Sequence, residues 1–600
     1  INNVALAENL QTAVAYWQAG RTEDAYQLWK GNLVESMYYG ISPGNFEQLS
    51  HYDAFRGELY RDFADPIGVA SRTLTEGLFG VYPNLLENKI SIKPGFPKNW
   101  NSSELKLPDW EYQFTRTSKK TEYLFKSKYQ NPVALEMQIP VNYSNIKSVK
   151  VNGKKVDWKI KPNSISQPFV QFETPKGKDF KIEITYSGEE LKNEQTDYVN
   201  YISDNLQLNF DSKKKIKNIY DPQGLIKNSP PLEGWIRPKG EDGVVNQAIK
   251  LDNKERKGTF FVQVEQNGTT WWQPVNVDIR FPLETKWVNK QLQIQSKSSN
   301  PINGKLSING LNKTFSIQKN QNTVIEIPAN VLSKGTNSIM LDYNGIQQNI
   351  EITDWEIENK GQFNSISLAS KYNEKVTEIF NQKYLSPRLE VPTLQLPWQG
   401  IGNWCYPLIT AQIDDSGLMS KRKNGKVDFL GIPFLIDKTD KNIAFVSQWD
   451  NYSDSLEIPI SGKGKKIYFL MAGTTNPMQS QIVNGKITVQ YADGSTTELE
   501  LKNPTNWWPI EQDLFDDNFA FEIPDDKIPY RVKLKTGELY KGGTLSKYSS
   551  IKGFTDRQVD GGSATILDLP IDATKELKSI KLTAVSNDVV IGMMSATVLK

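Results

Sequence analysis

Cysteine and histidine are almost absent from this chain of 600 residues, which contains one of each, Cys405 and His51. A single cysteine excludes an internal disulfide bond and any zinc site built from several cysteines. A single histidine excludes a histidine-rich metal site, and no G-x-S-x-G motif accompanies it to indicate a serine hydrolase. We therefore predict a protein that holds no metal ion and no other cofactor.

Excess charge and long apolar runs are also absent. The 71 lysines and arginines nearly balance the 69 aspartates and glutamates, so the charge favours neither nucleic acid nor an anionic membrane surface as a partner. No run approaches the roughly 20 apolar residues that a membrane-spanning helix needs. At this length we expect several domains, because a single hydrophobic core rarely grows beyond about 250–300 residues.

The first residues predict two amphipathic helices joined by a short turn with the sequence AGRT. Their apolar faces recur at helical spacing and consist of Leu10, Ala13, Val14, Trp17, Ala25, Leu28, Trp29 and Leu33. A repeat-type helical hairpin of the tetratricopeptide kind is an alternative, although no repetition follows. The chain begins inside a helical pattern, so we expect that the native N-terminus lies upstream.

A third helix is predicted from Asp65 to about Gly80. Asp65 is a suitable N-cap, and Pro66 suits the first helical position because its missing N–H would be unpaired there. Glycine at positions 77 and 80 suits the end of the helix, where a left-handed conformation is often required. The segment KISIKPGF that follows alternates like a strand.

The run DPIGVASRTLTE, from Asp65 to Glu76, resembles the Asp-Gly-Asn-x-Gly-Gly-Thr-Ala-Gly-Ile-Ala-Glu run of inverting α-L-fucosidases. With the PGFP segment and Trp100, this part resembles the last helix of an (α/α)6-barrel glycoside hydrolase of the fucosidase or rhamnosidase type. Ile67 stands where the family has Asn, and Arg72 replaces a small residue, so the resemblance is to the barrel type rather than to fucose specificity. The motifs SPGN, RGELYRDF, EGLFG and NDVVIG also resemble uncharacterised multi-domain proteins of polysaccharide-degrading Bacteroidetes.

The resemblance implies hydrolysis of glycosidic bonds by two carboxylates. It also implies a periplasmic, extracellular or outer-membrane-associated protein whose partner is a carbohydrate. Inverting enzymes hold these carboxylates about 6.5–9.5 Å apart. Asp65 matches the position of the catalytic base, while Glu47 and Asp53 in the preceding loop are alternatives. The general acid lies outside this chain, in an upstream barrel segment or a second chain. The residues predicted to bind substrate are His51, Arg56, Arg61 and Trp404.

Two other functions remain open at this point. The first is a non-catalytic glycan-binding or scaffold protein, in which Asp65 only caps its helix. The second is a polysaccharide lyase that would use His51, Tyr52 and Arg56 near a uronate. A second carboxylate facing Asp65 across a cleft would favour the hydrolase, and an exposed His51 in a basic groove would favour the lyase.

The predicted fold class is multi-domain and mainly β, with the terminal helices of an (α/α)6 barrel followed by several β-sandwich domains. The predicted domains are barrel helices at 1–88, a β-sandwich cap at 89–190, a β-domain at 191–276, an immunoglobulin-like sandwich at 277–359 and a jelly-roll or galactose-binding-like sandwich at 360–600. A helix over 365–384 is expected to lead into the last domain.

Tryptophans mark the remaining candidate sites. Trp271 and Trp272 suggest stacking on a sugar, although we favour packing in a core or between domains. In the last domain we expect tryptophans in the loops at the end of the sandwich, where binding sites often lie; these are Trp398, Trp404, Trp507 and Trp508. Asn152-Gly153 and Asp493-Gly494 predict hairpin turns.

Overall fold

The structure is a computed structural model, and it describes residues 3–4, 6–34, 49–50, 64–192, 196–208, 210–211, 213–227, 235–236, 248–382, 412–449, 451–475, 479, 481–513, 527–543, 559–587 and 589–600. Over these residues the chain is mainly β and has several separate sheets. Apart from an isolated bridge between Ile165 and Trp272, no described strand pairs across the four groups of sheets given below. The chain is therefore a multi-domain, mainly β protein, and its domain boundaries stay a prediction.

Among the described residues, three helices precede the sandwiches: α1 (Leu6–Gln18), α2 (Thr22–Val34) and α3 (Ala64–Arg72), the last followed by a π-helical turn at Thr73–Leu78. The short α4 (Ser416–Ser420) and a 3-10 turn at Val376–Glu378 lie in the C-terminal unit. The apolar face predicted for α1 is buried, as expected. The helices α1, α2 and α3 match the predicted positions, whereas the barrel to which they were assigned stays a prediction.

The first β-sandwich follows directly. Its larger sheet has the strand order Lys154–Lys155, Tyr143–Val151, Asp179–Glu190, Lys120–Ser127, Trp110–Thr117 and Ser102–Lys106. The facing sheet has the order Lys159–Ile160, Phe169–Glu173, Ala134–Pro140, Lys89–Ile92 and Val81–Asn84. Asn152 and Gly153 both have positive φ, 49° and 80°, which confirms the predicted tight turn.

The helices and this sandwich share one hydrophobic core. Trp17 of α1 and Phe79 after the π-helical turn belong to the same cluster as Phe114 and Ile182 of the larger sheet. Residues of both the helices and the sandwich enclose this core, so the sandwich covers the end of the helical part.

The second β-unit contains a five-stranded sheet and a two-stranded one. Their strand orders are Asp197–Tyr201, Thr269–Arg280, Arg256–Gln266, Lys215–Tyr220 and Trp235–Ile236, and then Asn205–Gln207 and Ala248–Lys250. Trp271 and Trp272 are 3% and 5% exposed. This burial confirms that the two rings pack inside the protein and do not form an exposed surface on which a sugar could stack. Trp272 pairs its backbone with the first sandwich, since its N–H donates to Ser164 and its carbonyl accepts from Ser166.

The third unit is a seven-stranded, two-sheet arrangement of the kind found in immunoglobulin-like domains. The sheet orders are Leu283–Val288, Gln291–Ser296 and Asn322–Glu326, and then Leu311–Ile317, Ile302–Ile308, Gly335–Tyr343 and Ile346–Asp354. Strict alternation of buried and exposed residues along Gly335–Tyr343 follows from having one face on the core.

The C-terminal unit has a large sheet buried on both faces. Its strand order is Phe363–Ile366, Val589–Leu599, Lys466–Thr475, Ser563–Pro570, Tyr530–Lys533 and Leu539–Lys541, with Ala444–Ser447 also paired to Val589–Leu599. The second sheet has the order Ser455–Pro459, Leu577–Ala584, Val483–Tyr491 and Thr496–Lys502, and Lys426–Phe429 pairs with Ile432–Leu435. The strands Val483–Tyr491 and Thr496–Lys502 form the hairpin predicted around Asp493-Gly494.

The helix predicted over 365–384 is wrong for its described part, which has one strand and a single 3-10 turn, at Val376–Glu378. Asn373 explains the difference, because its backbone N–H donates to Ile443 and its side-chain Oδ1 accepts from the N–H of Phe445. The apolar residues also divide between two cores, with Leu368 in one and Phe380 in the other. A single helical face would not reach both.

A buried ion pair within the C-terminal unit is hydrogen-bonded to the third unit. Lys466 Nζ lies 2.9 Å from Asp568 Oδ2, and the two side chains are 1% and 5% exposed. Asp568 also accepts hydrogen bonds from the N–H of Thr336 at 2.7 Å and from its hydroxyl at 3.1 Å. Lys466 Nζ donates to the carbonyl of Lys334 at 2.8 Å. Burial lowers the pKa of Lys466.

We predict that Asp568→Asn or Lys466→Met destabilises this junction by about 3–5 kcal/mol, because each leaves one buried charge unpaired. Lys486→Met is the matched control, since Lys486 pairs with Glu498 at the surface and such pairs contribute about 0–1 kcal/mol. Urea unfolding followed by tryptophan fluorescence measures both. Equal, small effects of the buried and exposed changes would contradict this account.

Candidate functional site

Most of the residues that the sequence proposed for catalysis and substrate binding lie outside the described residues. These are Glu47, His51, Asp53, Arg56, Arg61 and Trp404. Asp65 lies in α3, but its side chain is not among those described. Their roles therefore stay predictions, and the same holds for Tyr52 and Trp398.

Trp507 and Trp508 are not available for stacking on a ligand. They are 0% and 1% exposed, and Trp508 Nε1 donates to the carbonyl of Pro504 at 2.6 Å. A Cβ at Gly473 would lie 2.8 Å from the Trp507 ring, so that ring packs directly on the backbone of a central strand. These two residues lie in a loop, as predicted, but their side chains are part of the core, so the expectation that they offer a binding surface is wrong.

A polar cleft lies where α2, the first sandwich and the second β-unit meet. Its volume is about 290 Å³. We call it the junction cleft, and its lining consists of Gly20, Arg21, Thr22, Glu23, Asp24, Phe96, Lys98, Arg116, Pro140, Asn142, Ser166, Gln167, Thr196, Asp197, Gln273, Pro274 and Asn276. Three separate parts of the chain thus build one cavity.

Trp17 fixes the helical wall of the junction cleft. Its Nε1 donates to the carbonyl of Gly95 at 2.9 Å, and a Cβ at Gly77 or Gly95 would lie 2.3 Å from its ring. Lys93 Nζ donates to the carbonyl of Gln18 at 2.7 Å, at the end of the same helix. Burial lowers the pKa of Lys93 to about 8. The α1–α2 turn is therefore held at the edge of the sandwich.

The first turn of α2 supplies charged groups to the cleft. Gly20 has φ of 78°, which lets the chain reverse between the helices. Arg21 Nε lies 2.8 Å from Asp24 Oδ2, and the guanidinium lies 4.7 Å from the centre of the Tyr16 ring. Glu23 Oε1 accepts the backbone N–H of Lys98 at 2.9 Å. Arg21, Glu23 and Asp24 are thus each held by a specific contact.

The opposite wall is a chain of hydrogen bonds on paired strands. Asp197 and Asn276 face each other in the parallel register of two strands of the second β-unit. Asn276 Nδ2 donates to Asp197 at 2.9 Å, and the Thr196 hydroxyl donates to the same carboxylate at 2.8 Å. The Thr259 hydroxyl donates to Asn276 Oδ1 at 2.7 Å. The bonds from Asn276 and Thr196 lower the pKa of Asp197, so its carboxylate is ionised at neutral pH.

Phe96 and Arg116 line the cleft on the side of the first sandwich. Phe96 is 5% exposed and stacks on Phe114 at 4.5 Å between ring centres. Arg116 Nη1 donates to the carbonyl of Lys98 at 2.9 Å, and its guanidinium lies 4.9 Å from the centre of the Phe114 ring. Carbonyl partners orient the guanidinium without cancelling its charge.

The charges of the junction cleft are balanced. Three cations and three carboxylates line it, together with four neutral amides; they are Arg21, Lys98, Arg116, Glu23, Asp24, Asp197, Asn142, Gln167, Gln273 and Asn276. Such a set offers many donors and acceptors at fixed positions and little net attraction for a highly charged ligand.

Among the described residues, no group of three or more His, Cys, Asp or Glu side chains is placed to hold a metal ion.

Sequence patterns gave little indication of this site. The sequence AGRT predicts only a turn, although the charged residues that follow Gly20 are a usable signal of a polar site. The pairing of Asp197 with Asn276 joins residues far apart in the chain, so no local pattern reveals it.

In the described part of the chain, no helix is long and apolar enough to span a membrane.

A second polar cluster is buried in the C-terminal unit. Glu511 is 2% exposed, and its Oε1 accepts the Thr474 hydroxyl at 2.9 Å. Its Oε2 has no hydrogen-bond partner among the described residues. Arg531 and Asp513 lie 3.7 Å apart and are both fully buried. Burial raises the pKa of Glu511 to about 7, so this carboxyl is largely neutral in mildly acidic solution.

We predict that the C-terminal unit becomes less stable as the pH rises from about 4.5 to 7, because the Glu511 carboxyl is buried. Over that range the unfolded state ionises while the folded state keeps its proton, so about 3 kcal/mol of stability is lost. Glu511→Gln removes this dependence, whereas Glu457→Gln, at an exposed carboxylate of the same unit, leaves it intact. Thermal unfolding at several pH values compares the three proteins, and identical pH profiles for wild type and Glu511→Gln would contradict the assignment.

Comparisons with known proteins identify no family. No family model and no curated protein matches the chain. Among solved structures, the Bacteroides ovatus mixed-linkage glucan utilization locus SGBP-B, in complex with a mixed-linkage heptasaccharide, is similar at 9% identity and a TM-score of 0.15, over 74% of this chain and 89% of that one. The CD2-binding domain of CD58 is similar at 10% identity and a TM-score of 0.11, over 28% and 99%. Escherichia coli alpha-2-macroglobulin is similar at 9% and 0.13, over 48% and 39%. Likenesses at these TM-scores carry no inference about fold or ligand.

Proposed function

We propose that this chain binds carbohydrate in the junction cleft without changing it covalently. The observation that carries the proposal is the set of amide and carboxylate side chains held in place around the cleft, as in the chain Thr259–Asn276–Asp197–Thr196. Sugars present neighbouring hydroxyl groups that each donate and accept a hydrogen bond. Planar amides and carboxylates fixed in advance suit such groups, since little side-chain freedom is lost on binding.

Size and charge support the same ligand class. A volume of about 290 Å³ lies at the small end of the range of ligand pockets, which fits a short oligosaccharide segment. The balanced charges give no advantage to a nucleic acid, whose affinity depends on phosphate contacts. Phe96 is 5% exposed and stacks on Phe114, so we expect polar side chains rather than ring stacking to hold the sugar.

The carboxylates of the cleft favour binding over hydrolysis at this place. Glu23 accepts a backbone N–H, Asp24 pairs with Arg21, and the pKa of Asp197 is lowered by its hydrogen bonds. A general acid for glycosidic cleavage needs a raised pKa, because it must hold a proton at working pH. Asp197 lacks this property.

We predict that Asp197→Asn weakens oligosaccharide binding at least about tenfold, since an ionised acceptor for hydroxyl groups is replaced by an amide. Isothermal titration calorimetry against gluco-, manno-, xylo- and galacto-oligosaccharides measures the effect. Asp342→Asn is the matched control, because Asp342 is exposed on the third unit. Unchanged affinity in Asp197→Asn, or no binding by wild type to any of these oligosaccharides, would overturn the proposal.

Hydrolysis of glycosidic bonds is the second candidate function. Its specific support is the packing of α3, where Ala70 and Leu10 are buried together and the Thr73 hydroxyl lies 3.4 Å from the carbonyl of Leu10. Helix α3 leads into a sandwich that shares the helical core, as the resemblance to (α/α)6-barrel hydrolases implies. Asp65 is the proposed base, with Glu47 and Asp53 as alternatives. The general acid would come from an upstream segment, in a periplasmic or extracellular protein.

We predict for this second candidate that Asp65→Asn lowers turnover of a cleaved aryl glycoside or polysaccharide at least about 100-fold, because the base no longer activates water. The assay uses the full-length gene product, so that an upstream acid is included. Glu76→Gln is the control, since Glu76 lies in the π-helical turn after α3 and pairs with Arg72. Turnover that survives Asp65→Asn would exclude it as the base, and absence of any turnover would exclude the function.

A further inference from the structure

The outer face of the second β-unit continues the junction cleft. Phe260 and Val262 are fully buried in the core of this unit, so Phe261 between them faces outward. The partner of Phe261 across the strand ladder is Pro274, and Pro274 lines the junction cleft. The outer face of the sheet therefore begins at the wall of the cleft.

Two aromatic rings lie together on this face. Tyr220 pairs with Phe261 on the neighbouring strand, and residues paired in this way direct their side chains to the same face of a sheet. The ring centres are 6.3 Å apart, and the ring planes are inclined by 30°. Tyr220 is 36% exposed and Phe261 is half-buried. We call these two residues the ring pair, and they present an aromatic surface to the solvent beside Pro274.

Trp272 supports the ring pair. Its ring meets that of Tyr220 edge-on, with 6.4 Å between the centres and 69° between the planes. Trp272 is 5% exposed, and its Nε1 donates to Asn163 Oδ1 of the first sandwich at 3.3 Å. Because a buried ring holds Tyr220 in position, little side-chain freedom is lost when a ligand stacks on it.

Uncharged polar groups flank the ring pair on both sides. Toward the cleft, the Thr259 hydroxyl donates to Asn276 Oδ1 at 2.7 Å. Away from the cleft, Asn218 Nδ2 donates to Gln263 Oε1. Thr259 and Gln263 each lie two residues from Phe261, which is about 7 Å along a strand. Hydrogen-bonding groups thus stand at either end of an aromatic surface.

The charged residues farther along the same strand are paired. Glu265 and Lys257 lie four residues from Phe261 in opposite directions. Glu265 forms an ion pair with Lys217 at 2.9 Å, and Lys257 forms one with Asp278 at 3.6 Å. The surroundings of the ring pair therefore favour an uncharged ligand over an ionic one.

We propose that the ring pair is a second sugar subsite, on which one unit of a neutral oligosaccharide stacks while a neighbouring segment occupies the junction cleft. This inference rests on the proposed carbohydrate-binding function and adds the length and the charge of the ligand. Polar side chains hold the sugar inside the cleft, and the aromatic rings hold it beyond the cleft. The C–H face of a pyranose matches an aromatic surface, while its hydroxyl groups reach the amides at either end.

The test compares two lengths of ligand on variants that lose one flat ring. Tyr220→Leu and Phe261→Leu, made separately, keep an apolar side chain on the same strand. Isothermal titration calorimetry uses disaccharides and hexasaccharides of the gluco, manno, xylo and galacto series. In the series that wild type binds best, each variant is expected to weaken hexasaccharide binding at least about tenfold and to leave disaccharide binding within about twofold. Disaccharide binding and near-UV circular dichroism report whether each variant remains folded.

Two control variants separate stacking from other effects. Tyr220→Phe keeps the ring and loses only the hydroxyl. Trp158→Ala removes an aromatic side chain of similar exposure, 38%, from the first sandwich outside the lining of the cleft. Both are expected to leave hexasaccharide binding within about twofold of wild type.

The outcomes separate this inference from the proposed function. Unchanged hexasaccharide binding in both leucine variants would overturn the stacking subsite and leave binding in the cleft standing. Equal weakening of both lengths would also overturn it, because the ring pair lies beyond the segment held in the cleft. A wild-type dimer that dissociates in Tyr220→Leu, with sugar binding unchanged, would assign the ring pair to a contact between copies of the chain. Binding of neither length in any series would overturn both proposals.

Discussion

The contact of Trp17 with Gly77 and Gly95 is the constraint on which the junction cleft depends. The ring lies where a Cβ at either glycine would be 2.3 Å away, so only glycine allows the helix to approach the sandwich this closely. Its Nε1 is satisfied by the carbonyl of Gly95. Because this contact fixes the end of α1, it also fixes the turn and the charged first residues of α2 that form one wall of the cleft.

Other junctions between the units follow the same physical pattern. The backbone of Trp272 pairs with Ser164 and Ser166 of the first sandwich. Lys466 and Asp568 of the C-terminal unit hydrogen-bond to Lys334 and Thr336 of the third unit. At each junction buried polar groups are paired across the boundary. A buried network that is satisfied only in one arrangement restricts how neighbouring units sit, whereas apolar contact alone tolerates small shifts. Cavities formed between units can therefore keep a defined shape.

Local sequence patterns were sufficient to predict the elements whose residue spacing has a single physical cause. The apolar face of α1 and the turn at Asn152–Gly153 were predictable from side-chain spacing and from the need for positive φ. The segment 365–384 was not, because its apolar residues serve two different cores and its backbone pairs with a distant strand. The same limit explains Trp507 and Trp508, whose burial depends on the large sheet rather than on neighbours in sequence.

The junction cleft could not be predicted, because its residues come from parts of the chain as distant as Arg21 and Asn276.

Carbohydrate binding in the junction cleft is tested most directly by hydrogen–deuterium exchange with and without a saturating oligosaccharide. The account predicts slower exchange at residues 20–24, 196–197 and 273–276, with the C-terminal unit unchanged. Protection confined to residues 412–600, with none around the cleft, would contradict it.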